Sequence, residues 1–167
     1  PGTRQAYSNF GFVLLGGIIA KITGLGYPEA VRRLALQPMG APGPRIDDVP
    51  PRYLPGEAKR YLTGSEQPVP GGNPRMVMAS GGWQANCVDM ARVMTAIDGS
   101  RTGATFLSPA MFEAMLRPAT GFPRPNPDHW MGLGWDFVQT FPDPAQPGLL
   151  VKSIAGGFLA RQLRLMR

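Results

Sequence analysis

Residues 1–24 read PGTRQAYSNFGFVLLGGIIAKITG, and their reading decides the fold. A polar triplet, Tyr7-Ser8-Asn9, stands directly before an apolar run. Asn9 is expected to cap a helix there, since its side-chain oxygen can accept from the orphan N–H groups of a first turn. Gly24 is a suitable stop, because glycine tolerates the left-handed conformation that closes many helices. Between them Phe10, Val13, Leu14, Ile18 and Ile22 recur at three- and four-residue steps, which predicts a helix with one face made for a core. Tyr7 and Asn9 would then sit at a loop-to-helix junction, backed by a rigid element.

The ordered set PGT, YSN and an apolar helix ending in Thr-Gly resembles a segment of the serine β-lactamase and penicillin-binding protein superfamily. The likeness is to the region around its Tyr-x-Asn motif, on the class C, esterase and D-alanyl-D-alanine carboxypeptidase side. It continues into YPEAVRRLALQPMG, residues 27–40, which is similar to the family's next helix. GGWQANCVDMARVMTAI, residues 81–97, resembles its Gly-Gly-aromatic turn and following helix, and HWMGLGWDF, residues 129–137, its Tyr-Gly-Leu-Gly-Trp strand. The fold so implied is α+β, part of a β-lactamase/transpeptidase-like fold. A helical subdomain with long loops would occupy 1–128, and strands of an antiparallel sheet 129–167.

Composition narrows the function classes. At 167 residues the chain can enclose a core, and 22 Gly with 19 Pro predict many turns. The net charge of +6 is carried by 14 Arg against three Lys. These arginines are scattered, with no basic run longer than Arg32-Arg33, so no nucleic-acid partner is expected. Surface-wide anion binding through the arginine excess stays a minor alternative. Cys87 is the single cysteine and His129 the single histidine, which excludes an internal disulfide and a His/Cys metal cluster. No metal or organic cofactor is expected, and Cys87 reads as a buried small hydrophobe. No signal peptide is visible; the apolar run from Phe10 to Ala20 is too short to span a bilayer. The lack of an initiating Met suggests the interior of a longer chain.

Along the chain, Pro28 to Leu36 predicts a second helix, begun by one proline and ended by Pro38. Ala41 to Gly72 reads as a long loop with one strand near Arg60–Leu62. Asn86 and Asp89 form a capping-box-like start to a helix whose stripe Val88, Ala91, Val93, Met94 and Ile97 should be buried. Asp98-Gly99 would end it. Ser80 and Trp83 are candidates for a cleft rim. Ser108-Pro109 starts a short helix to Leu116. His129–Phe137 should be one strand, continued through Val138 to Phe141. Leu149–Ser153 and Phe158–Met166 should be two more strands, bracketing Ala155-Gly156-Gly157.

The chemistry implied by the resemblance is acyl transfer. In the family a serine from Ser-x-x-Lys attacks an ester, β-lactam or peptide carbonyl, and water releases the acyl-enzyme. Tyr7 would accept or relay the serine's proton and Asn9 would hold the substrate amide. Lys152, the first residue of a Lys-Ser/Thr-Gly-type triplet on an edge strand, would bind an anionic group. Ser153 and Gly156 would line the substrate. The triplet here is Lys152-Ser153-Ile154, with a branched residue where the family has glycine. The residues three before the lysines are Ile18, Gly56 and Leu149, so Ser-x-x-Lys occurs nowhere. The polypeptide should therefore lack its nucleophile. Its substrate would be a small molecule or a peptidoglycan-derived peptide, and its location periplasmic or extracytoplasmic. A binding or scaffold module is the other reading. A sheet lacking strands would be completed by missing residues, another chain or self-association.

No Gly-x-Ser-x-Gly elbow and no phosphate loop is present, and a triad would have to use His129. Asp47 and Asp48, adjacent in a loop, read as solvated rather than as an acid and base pair.

Overall fold

The computed structural model describes residues 8–46, 56, 58, 59, 61, 63–68, 78–97, 106–118, 129–140, 150–154 and 163–165. In the strands beyond residue 128, side chains are described only at 132–135 and 138. Two compact units arise, one within Tyr7–Val93 and one within Met94–Arg167.

The first unit begins with α1, Asn9–Thr23. Ser8, not Asn9, is its N-cap: the backbone of Ser8 is extended and its Oγ accepts from Gly11 N–H at 3.1 Å. Asn9 is already helical. Both residue types cap well, so identity alone does not choose between neighbours. Gly24 closes the helix at φ 68°, its N–H donating to the Ala20 carbonyl.

After a short turn, α2 (Tyr27–Val31) carries Pro28 in its first turn and passes into a π-helical segment, Arg32–Leu36. There the Gln37 N–H reaches back five residues to the Arg32 carbonyl. Ala30, Leu36 and Ala41 are buried. The chain next forms β1 (Arg45–Ile46), which pairs antiparallel with β2 (Trp83–Gln84). Sequence reading missed this pair. The strand expected near Arg60–Leu62 is not formed at Tyr61, and Arg60 and Leu62 lie outside the described residues.

Helix α3, Cys87–Ile97, starts as expected: Asn86 Oδ1 accepts from the Asp89 N–H at 2.8 Å. Its predicted stripe is buried only toward the C-terminal end. Met94 is buried, Val93 and Ile97 half-buried, while Val88 and Ala91 are exposed. Cys87 is exposed too, contrary to expectation, because it stands in the first turn on the solvent side. Asp98-Gly99 lies outside the described residues.

In the second unit α4 runs Pro109–Leu116, capped by Ser108, whose Oγ accepts from Met111 N–H at 3.2 Å. The expected single strand over 129–137 is instead a hairpin, β3 (His129–Gly132) and β4 (Trp135–Thr140). The turn is Leu133-Gly134, with Gly134 at φ 77°, a conformation that glycine alone adopts without strain. β5 (Leu150–Ile154) and β6 (Leu163–Leu165) complete an antiparallel sheet in the order β3-β4-β5-β6. Trp135 and Val138 from β4 pack with Met94, Phe112 and Leu116 to form the core. Gly132 lets the hairpin close on α4: Leu133 N–H donates to the Met115 carbonyl at 2.8 Å, and a Cβ at Gly132 would overlap that oxygen. The Trp135 indole N–H has no hydrogen-bond partner among the described residues.

Candidate functional site

Asn9 is held in the first turn of α1, where the Ser8 cap fixes the chain's entry. It is exposed and has an interaction of its own. Tyr7, immediately before, and Gly156, after β5, lie outside the described residues. Lys152 and Ser153 are adjacent on β5.

The backbone setting of Lys152 and Ser153 corrects one expectation. They are not on an edge. Lys152 pairs with Val138 of β4 on one side and Leu165 of β6 on the other. Ser153 pairs likewise with Phe137 and Arg164, and Ile154 with Leu163. Backbone groups engaged in two ladders cannot also pair with an extended substrate. The branched Ile154 suits this setting, since it continues the strand and pairs with Leu163 of β6, where glycine would weaken the ladder.

Behind the Asn9 helix the chain is closely packed. Gly16 of α1 is its one buried residue, and a Cβ there would stand 2.5 Å from the Ala79 Cβ and 3.4 Å from the Tyr27 ring. Tyr27 meets Trp83 edge to face at 6.3 Å, and Trp83 Nε1 donates to the Met78 carbonyl at 2.9 Å. The expected cleft-rim tryptophan is thus a half-buried brace between α2 and β2. Burial pushes the Tyr27 hydroxyl above its ordinary pKa, partly offset by the Trp83 side chain.

Two charge clusters lie among the described residues of this unit. Asp89, 3% exposed, accepts from Asn86 Nδ2 at 2.8 Å and pairs with Arg92 at 3.1 Å. Glu29 receives Arg32 Nε at 2.7 Å, and Arg33 reaches the same carboxylate. Those hydrogen bonds pull the Glu29 pKa from its ordinary 4.5 to about 2. The spacing of Glu29, Arg32 and Arg33 already carried that signal, since residues three and four apart meet on a helix. Among the described residues no group of three or more His, Cys, Asp or Glu is placed to hold a metal ion.

A family profile described as Beta-lactamase matches residues 1–156. The chain belongs to the β-lactamase family. Among curated proteins it is similar to the D-alanyl-D-alanine-carboxypeptidase/endopeptidase AmpH of Escherichia coli K12. The two are 25% identical over 163 residues, covering 94% of this chain and 40% of that protein. Among solved structures it superposes on a D-stereospecific amidohydrolase from Streptomyces sp. with TM-score 0.72 at 22% identity, covering 95% of this chain and 45% of the other. A penicillin-binding protein from Bacillus halodurans gives TM-score 0.64 at 24% identity, with coverages of 92% and 48%. These likenesses establish a β-lactamase/transpeptidase-like α+β fold. The chain spans about 40% of the length of the curated relatives it matches.

Proposed function

We propose that this chain is part of a serine hydrolase of the β-lactamase-like family, working by acyl transfer on β-lactam, ester or D-Ala-peptide substrates. The observation that carries this reading is the family match over residues 1–156, with Ser8 and Asn9, which follow Tyr7 in the sequence, at the start of α1. The assignment to the class C, esterase and carboxypeptidase side rests on the resemblance of that region, and AmpH is a carboxypeptidase/endopeptidase by name. Tyr7 would relay the proton of a serine supplied from a Ser-x-x-Lys segment. Asn9 would hold the substrate amide, and Ser153 and Gly156 would line the substrate. Lys152 would act through its charge alone, because its strand is paired on both sides. A periplasmic or extracytoplasmic location goes with this reading.

A scaffold reading is favoured by the same strand. With no free edge at Lys152-Ser153, a binding module without turnover has one observation behind it. Intact-protein mass spectrometry with a fluorescent penicillin or an activated fluorophosphonate separates the two. The hydrolase reading expects no adduct on residues 1–167 and a stoichiometric one on a version extended upstream. An adduct on the 167-residue chain would overturn the claim that the nucleophile lies elsewhere. Silence from both chains would favour the scaffold.

A further inference from the structure

Periodicity marks Phe10, Leu14, Ile18 and Ile22 as the core face of α1, but among the described residues these are exposed. The one buried residue of the helix is Gly16. Glycine weakens a helix interior, because it brings no side chain to pack and loses most backbone freedom on folding. Its use here has a local cause: a Cβ on Gly16 would stand 2.5 Å from the Ala79 Cβ and 3.4 Å from the Tyr27 ring. Ala79 is itself held in place. It lies within residues 78–83, which the Trp83 indole closes by donating to the Met78 carbonyl at 2.9 Å. Tyr27 braces the same segment through its edge-to-face contact with Trp83.

We propose that the contact between Gly16 and Ala79 sets the position of α1 and thereby places Asn9 at the substrate, which makes both of them positioning residues. The catalytic consequence rests on the hydrolase reading above; the geometry does not. Asn9 and Gly16 stand on one helix without an internal proline, about 10 Å apart along its axis. Carbon atoms in ordinary contact lie about 3.5–4.0 Å apart, so a methyl group on residue 16 must drive α1 and Ala79 apart by about 1 Å. An unbroken helix carries a displacement of that size to its first turn. A reacting or binding group misplaced by about 1 Å can slow a reaction on the order of 100-fold.

The test moves a methyl group across the contact, in the chain extended along its own gene to the length of its relatives. Gly16→Ala, Ala79→Gly and the two combined are compared with the parent. Turnover of a chromogenic ester or β-lactam is divided by the number of sites that an activated fluorophosphonate labels, so that loss of folded protein does not count. Gly16→Ala should lower kcat per labelled site by about 10- to 100-fold. The combined swap should return it to within about threefold of the parent, because the two substitutions share one contact. Gly43→Ala, which overfills a site elsewhere in the same unit, is the control: it should lower Tm and leave kcat per labelled site unchanged. If Gly16→Ala behaves like that control, the contact is packing alone and the proposal is overturned. A combined swap as slow as Gly16→Ala overturns it too. Crystal structures of the same chains read Asn9 without any need for turnover: its Cα should move by about 1 Å in Gly16→Ala and return in the swap. A parent chain that neither labels nor turns over defeats the hydrolase reading, whereas an Asn9 that stays in place defeats this inference.

Discussion

The backbone of Gly43 lies against the carboxylate of Asp89, so closely that a Cβ on the glycine would overlap Oδ2. Asp89 cannot retreat, because Asn86, just before α3, and Arg92, within it, hold its two oxygens. Gly43→Ala should therefore destabilise the chain by about 1–3 kcal/mol, the usual cost of overfilling a packed site. Urea denaturation measures it, and an unchanged midpoint would show that the loop can shift.

The same cluster predicts an order among its members. Asp89→Ala removes a buried acceptor from two donors, Asn86 Nδ2 and Arg92, and should cost about 2–3 kcal/mol. Arg92 is half exposed, so Arg92→Ala should cost under about 1 kcal/mol. Equal losses would mean that the ion pair, and not the hydrogen bond from Asn86 Nδ2, carries the stability.

Ser8 caps α1, and on the proposed reading Asn9 serves the substrate. Ser8→Ala removes the cap of α1 and should lower stability by about 1 kcal/mol. Asn9→Ala leaves that hydrogen bond in place. It should change stability less while abolishing substrate turnover in an extended, active chain. Thermal melts read the first and hydrolysis rates the second; a melt that ranks Asn9 above Ser8 contradicts the observed cap.

Glu29 makes part of the stability depend on pH. Its folded pKa is depressed to about 2 from 4.5, so the carboxylate favours the folded state above pH 4.5. That contribution is lost as pH falls toward 2. Glu29→Gln should flatten this portion of the stability–pH curve, and 1 M salt should shrink it, because the group is exposed. A curve unmoved by the substitution would show that the Arg32 and Arg33 contacts do not persist in solution.

At the hairpin, Gly132→Ala forces a methyl into the Met115 carbonyl that accepts the Leu133 N–H. The expected loss is about 1–3 kcal/mol, with the near-ultraviolet signal of Trp135 weakened as β3 lifts from α4.

Much of this was legible in the residues. Ser108-Pro109 and Asn86 with Asp89 announced α4 and α3 through cap chemistry, which is local and short-ranged. Gly24 likewise fixed the end of α1. What could not be read was non-local. Nothing near Arg45 signals pairing with Gln84, and a hairpin turn at Leu133-Gly134 hides inside a motif that looks like one strand. The neighbours of Lys152 depend on where β6 falls, some ten residues later in a glycine-broken stretch. The inward assignment of Leu14 and Ile18 followed from periodicity, which reports that a face is apolar and says nothing of what covers it.

Strand order has a kinetic consequence. In the sheet β3-β4-β5-β6 each strand pairs with the next one along the chain, so every ladder closes a short loop. Such pairings cost little chain entropy and form early. The β1–β2 pair differs, since it must bring Ile46 to Trp83 across all of residues 47–82. The meander should therefore assemble quickly once its four strands are present. The junction of Arg45–Ile46 with Trp83–Gln84 would then set the pace for the rest.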